Sequence, residues 1–219
     1  LMCPMGDNQA TADGYVTDQQ IAYFEARAAG GAALLLVGSV GVTAPDGLSS
    51  PRQAALSDES RLPGYARLAE RVHAHGARLA LQLVHNGKNA VMDIVAGRPM
   101  LVPSHPIASP PDALMGMLTA DEAGRMGTPT QVKGARVAYH EMTRADIAAL
   151  AERYADSAER ARRAGVDGLE LHAGHGYLID GFLSPTTNRR TDEYGGPVEN
   201  RARFLLDVIG AIRRRVGRD

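Results

Sequence analysis

SRLPGYARLAERVHAHGARLALQLV, residues 60–84, spells a helix, a stop and a strand in one breath. Leu62, Tyr65, Leu68 and Val72 recur at intervals of three and four, which sets them on one face of a helix. Gly76 follows where helices commonly end in left-handed backbone. Leu79 to Val84 is then almost unbroken apolar sequence, the mark of a parallel strand buried on both sides. Only Gln82 interrupts it.

The same order occurs twice more. In TDQQIAYFEARAAGGAALLLVG, residues 17–38, Thr17 and Gln20 form a capping box, Ile21, Phe24 and Ala28 face inward, Gly30 and Gly31 stop the helix, and Ala33 to Val37 is the strand. In TRADIAALAERYADSAERARRAGVDGLELH, residues 143–172, Thr143 and Asp146 start the helix, Ile147, Leu150 and Tyr154 face inward, Gly165 stops it, and Gly168 to His172 is the strand. A further helix is expected from about Glu199, with Phe204, Leu205, Val208 and Ile212 on one stripe. Helices alternating with short apolar strands predict an α/β fold with a parallel sheet.

Residues 93–139 break the pattern with Pro, Gly, Ser and Met, and predict an excursion, or lid, over one face of the fold, built as a hairpin plus a short helix near Ala120–Met126. Met115, Met117 and Met126 within it are expected to be packing residues rather than ligands. The closing RRRVGRD suits a solvated helix end rather than a nucleic-acid patch, since the chain of 219 residues has a formal net charge of only -1. A single cysteine, Cys3, excludes an intrachain disulfide and fits a reducing, cytoplasmic compartment. No apolar run spans a bilayer, and LMCPMGDNQA lacks the basic and apolar regions of a signal peptide, so no membrane contact is expected.

The unusual residues gather where strands end. Pro4, Met5 and Gly6 follow the opening fragment, and Gly38 and Ser39 follow the strand at 33–37. Gln82, His85, Asn86 and Gly87 lie in and after the strand at 79–84, and His172, His175, Gly176 and Tyr177 end the strand at 168–172. In parallel α/β folds chemistry sits at the C-terminal ends of strands, so one rim is expected to hold the site. Gln82 is equally readable as a structural hydrogen-bonding residue or a functional one. His85, His172 and His175 together could serve a zinc hydrolase, although no helical H-E-x-x-H motif accompanies them. A third reading, from another class, is an inactive half-barrel acting as a binding or assembly module.

DGLELHAGHGYLIDGFLSPTTNRRTDEYGGPVENRARFLLDVI, residues 167–209, resembles the signature region of the Old Yellow Enzyme family of flavin oxidoreductases. MCPMG, DGYVT, LALQLVHNGK and YHEMTRADI match it in the expected order, and PMG with the long insertion is closer to the branch of 2,4-dienoyl-CoA and 2-enoate reductases. The resemblance implies an FMN-binding (β/α)8 barrel and an enzyme that uses NAD(P)H to reduce activated C=C bonds of α,β-unsaturated carbonyl or enoyl-type small molecules. By the same resemblance Cys3, Pro4 and Met5 line the flavin, Gly38 or Ser39 and Gln82 meet its pyrimidine edge, His172 and His175 hold the substrate carbonyl, and Tyr177 donates the proton. Gly6 stands where many members carry a Thr or Cys that tunes the flavin. No metal ion is expected at the site; an iron–sulfur cluster and FAD are expected, if at all, in a region beyond this chain. The oligomeric state is left open, homo-oligomer included. Only about four βα units are readable, whereas a closed barrel takes eight and roughly 250 residues. The chain is therefore expected to be a barrel's first half, cut at both ends.

Overall fold

The computed structural model describes residues 1–107 and 137–217. Its elements in chain order are α1 (Asp18–Ala29), β1 (Leu34–Gly41), α2 (Leu62–His73), β2 (Arg78–Val84), α3 (Val91–Val95), β3 (Met100–Val102), β4 (Tyr139–Glu141), α4 (Arg144–Arg163), β5 (Gly168–Leu171), α5 (Leu178–Leu183), α6 (Val198–Arg201) and α7 (Arg203–Val216).

β1, β2 and β5 form a parallel sheet in that order, with Leu36 opposite Ala80 and Gln82 opposite Glu170. The N-terminal residues extend it past β1: the Met2 N–H donates to the Leu34 carbonyl at 2.8 Å, the Leu36 N–H to the Met2 carbonyl at 3.1 Å, and Gly6 bridges Gly38. Spatial order thus equals sequence order, with α1, α2 and α4 each leading into the next strand. A barrel wall is built in this way. Phe24, Tyr65, Leu68, Leu79, Leu81, Tyr154 and Phe204 are fully buried where helices meet the sheet. Each such side chain contributes roughly 1.5–3 kcal/mol by leaving water. β5 is the exception, half-buried along its whole length; among the described residues it pairs on one side only.

Several sequence expectations need correction. The Thr17 side chain accepts the Gln20 N–H, but Gln20 does not complete a capping box; its amide donates instead to both Asp7 carboxylate oxygens at 2.9 and 3.1 Å, tying α1 to the N-terminal segment. The complete box is at α4, between Thr143 and Asp146. β1 continues past Val37 to Gly41 through an irregularity, so Gly38 and Ser39 lie within the strand. The last helix is interrupted at Ala202 into α6 and α7. At the flanks of the excursion β3 and β4 pair in parallel, Met100 opposite Tyr139, and the hairpin expected within it lies outside the described residues. Asp93, expected to open the excursion, is buried in α3, where it accepts the Gly47 N–H at 2.9 Å and pairs with Arg98 at 2.8 Å. The helix expected near Ala120–Met126 and the methionines at 115, 117 and 126 lie outside the described residues.

The polar run after α5 is architecture. Asn188 donates to the carbonyls of Phe182 and Tyr194, both at 2.7 Å, and Arg190 donates to those of Pro103 at 3.1 Å and Met142 at 2.6 Å. Arg190 thereby clamps the ends of β3 and β4 to this loop, its charge matched by Asp192 at 2.6 Å. Gly195 lets the loop close: a Cβ there would stand 2.0 Å from the Arg190 carbonyl oxygen.

Candidate active site

At the C-terminal rim of the sheet lies a cavity of about 420 Å³. Pro4, Met5 and Gly6 line one side, Ser39 and Gln82 come from β1 and β2, and His172, His175 and Tyr177 from the turn after β5. Of the rim residues singled out in the sequence, Cys3, Gly38, His85, Asn86, Gly87 and Gly176 do not line the cavity. Cys3 is exposed and does not line the cavity. Gly38 acts from behind it: a Cβ there would stand 2.4 Å from the Pro4 Cβ and 2.8 Å from the Met5 nitrogen, so only glycine lets the N-terminal segment lie against β1. His85 is buried behind the rim, where its Nδ1 accepts the Gly87 N–H at 3.1 Å. Among the described residues no group of three His, Cys, Asp or Glu side chains is placed to hold a metal ion, which leaves the zinc-hydrolase reading without a ligand set.

The His172 N–H continues the ladder to the Leu83 carbonyl at 3.0 Å, so its ring starts where the sheet ends. Its Nδ1 accepts the Gly174 N–H at 3.4 Å, which favours the ring hydrogen on Nε2, and that Nε2 lies 3.2 Å from His175 Nδ1. His175 has φ 60, a left-handed conformation that costs a residue with a Cβ roughly 1–2 kcal/mol. The turn is held by the Gly176 N–H donating to Asp180 at 2.7 Å and the Leu178 N–H donating to the His85 carbonyl at 3.1 Å. The ring centroids of His172 and Tyr177 are 4.7 Å apart, those of the two imidazoles 5.0 Å, all edge to face. Burial, then the neighbouring His175, lowers the His172 pKa below its usual value, which keeps that imidazole neutral at neutral pH.

Gln82 donates from Nε2 to Glu170 Oε1 at 2.5 Å, leaving its amide oxygen without a protein partner among the described residues. Glu170 gave a signal of the same kind as Gln82, a polar residue within a short apolar strand, and sequence reasoning passed over it. Gln53 was missed as well, for it sits in irregular chain with no periodicity. It lines the cavity, donates to the Ser39 hydroxyl at 3.2 Å and carbonyl at 3.3 Å, and accepts from the Ser49 N–H at 2.8 Å and Asn86 Nδ2 at 3.1 Å.

The sequence model of the NADH:flavin oxidoreductase / NADH oxidase family matches residues 1–219. The chain belongs to that family. It is 37% identical over 219 residues to an NADH oxidase of Thermoanaerobacter brockii, covering 100% of this chain and 30% of that protein. To an NADPH dehydrogenase of Halalkalibacterium halodurans it is 36% identical over 212 residues, covering 97% and 53%. Among solved structures, Old Yellow Enzyme from a Pichia species superposes with a TM-score of 0.81 at 28% identity, over 99% of this chain and 52% of that one. The chain therefore spans about half, or less, of the relatives it matches, and its sheet corresponds to part of their barrel. No helix among the described residues is long and apolar enough to cross a membrane.

For a flavin of this family, the donor set offers a fit at one end. Ser39, the Gln82 amide and the backbone of residues 4–6 give an uncharged wall of donors and acceptors, suited to the edge of an isoalloxazine ring. No Lys or Arg lines the cavity, so a phosphate finds no cationic anchor there.

Proposed function

We propose that this chain carries the ring-facing and substrate-facing wall of an FMN-dependent oxidoreductase that uses NAD(P)H to reduce activated C=C bonds of α,β-unsaturated carbonyl or enoyl-type substrates. The observation that carries the reading is the cluster of His172, His175 and Tyr177 on one turn, opening into the cavity whose opposite wall is uncharged. Pro4, Met5, Ser39 and Gln82 would hold the FMN ring, and FMN when bound supplies the hydride to the β-carbon.

The chain's own residues answer the charge that this creates. As negative charge builds on the carbonyl oxygen, His172 donates from Nε2, and His175 donates once its Nδ1 carries the ring hydrogen; the two nitrogens, 3.2 Å apart, form a donor pair for one oxygen. An oxyanion donor of this kind is worth roughly 2.7–4 kcal/mol. The α-carbon then needs a proton, and the Tyr177 hydroxyl, beside the His172 ring, delivers it and is restored from solvent. With its one cysteine the chain has no four-cysteine ligand set of its own for an iron–sulfur cluster, so no cluster enters this scheme.

Tyr177→Phe in the full-length protein tests the assignment. Stopped-flow absorbance separates flavin reduction by NAD(P)H from reoxidation by an enone. The second step is expected to slow by about 10²–10⁴, the worth of a general acid, with the first nearly unchanged. Equal loss in both steps would make Tyr177 structural or part of nicotinamide binding.

A further inference from the structure

Tyr177 borders a second cavity. This one, about 230 Å³, lies between the chain leaving β3, the residues after β2 and the turn after α5. Its floor is apolar, from Leu101, Val102, Pro103 and Leu178, and it carries two cations, Lys88 and Arg189, with no carboxylate among its lining residues. The Lys88 Nζ lies over Gly176, 4.0 Å from where a Cβ on that glycine would stand, and so directly beside Tyr177. Arg189 is held by carbonyls alone: its guanidinium donates to Thr186 at 3.4 Å and to His105. Those contacts fix its position without matching its charge. The next residue, Arg190, shows the contrast, being neutralised by Asp192 at 2.6 Å. Two cations on separate segments, neither in an ion pair among the described residues, converge on a cavity that shares a wall with the site.

We infer that this second cavity is an anion subsite: a ligand engaged at His172 and His175 extends past Tyr177 over the apolar floor and places a carboxylate or phosphate between Lys88 and Arg189. The inference rests on the reading given under Proposed function. The apolar floor accepts a methylene or aryl spacer, and the cations supply charge-assisted hydrogen bonds that a neutral group cannot replace. The anion belongs either to the substrate's own tail or to the phosphates of the nicotinamide reductant.

The test uses the full-length flavin-loaded protein and two probes, benzalacetone bearing a para-carboxylate and its methyl ester, with NADPH titrated in parallel. The wild type is expected to favour the carboxylate in KM and in calorimetric binding by about two- to fivefold per cation, the worth of a partly exposed charge pair, and added salt should narrow the preference. Lys88→Met with Arg189→Gln should bring the ratio to about one. Lys88→Glu, which leaves the carbonyl contacts of Arg189 intact but sets a carboxylate against its charge, should by itself bring the ratio to about one. A ratio of one in the wild type, together with a raised KM for NADPH in Lys88→Glu, assigns the anion to the reductant. A ratio of one with NADPH unmoved overturns the subsite, and so does a carboxylate preference that survives both variants. Reduction of the ester without any carboxylate preference leaves the reductase reading standing, whereas a carboxylate preference in calorimetry with neither probe reduced overturns that reading instead.

Discussion

Acidification should expose the cost of burying His85. The ring is sealed at the end of β2, and burial holds its pKa down to about 4 from an ordinary 6.5, with Asp46 opposing weakly. The folded protein therefore declines a proton that the unfolded chain accepts. Stability is complete above pH 6.5, falls as the pH drops toward about 4, and then levels off as the native ring itself titrates. At 1.36 kcal/mol per unit, the loss is about 3 kcal/mol, a large share of the roughly 5–15 kcal/mol that holds a typical domain together. Asp93 nearby, its pKa raised chiefly by burial, gives a slope of opposite sign, so the comparison must cancel it. His85→Asn does so, because it leaves Asp93 in place and offers an oxygen where Nδ1 accepts the Gly87 N–H. Urea unfolding followed by circular dichroism, from neutrality to about pH 4, should show the wild type losing about 3 kcal/mol more than the variant. Parallel curves would refute the argument, for they would mean that His85 charges as readily folded as unfolded.

Gly38→Ala forces a methyl group into Pro4 and Met5. A loss of about 1–3 kcal/mol in unfolding free energy is expected, lowering the urea midpoint, with amide exchange rising first at Met2 and Leu36; an unchanged midpoint would mean that the N-terminal segment is not seated on β1. Gln53→Ala strips partners from Ser39, Ser49 and Asn86 and should cost about 1–3 kcal/mol. Gln53→Glu should fare worse than an isosteric swap normally does, since a carboxylate cannot donate to the Ser39 carbonyl at 3.3 Å; comparable stability of Gln53→Glu and wild type would count against the network.

What could be read in advance was local. The helices at 62–73 and 144–163 announce themselves through period and stop, because Tyr65, Leu68 and Val72, or Ile147, Leu150 and Tyr154, must all meet one surface. His172, His175 and Tyr177 were legible for a related reason: a short strand fixes where the next turn begins, and that turn is where they fall. Contacts between distant, irregular segments left no trace. Nothing periodic marks Gln53 as the partner of Ser39, nor a three-residue strand at 100–102 as the parallel partner of one at 139–141. The half-made cap at Gln20 failed in the same way, since Asp7, which captures its amide, belongs to a segment with no element of its own. Gly38 was noticed for a ligand and turned out to matter for a neighbour.

The pairing of β3 with β4 has a bearing on how such proteins diversify. These two strands bond to each other and not to the β1–β2–β5 sheet, and Arg190 binds both their ends to the chain beyond α5. The stretch between them thus leaves and returns through a fixed gate. Closing a longer loop on such a gate costs little, about 0.6 kcal/mol for each doubling of its length. Sequence can be gained, lost or exchanged between these two strands while the strands bearing the histidines keep their register, so recombination there need not re-solve the fold.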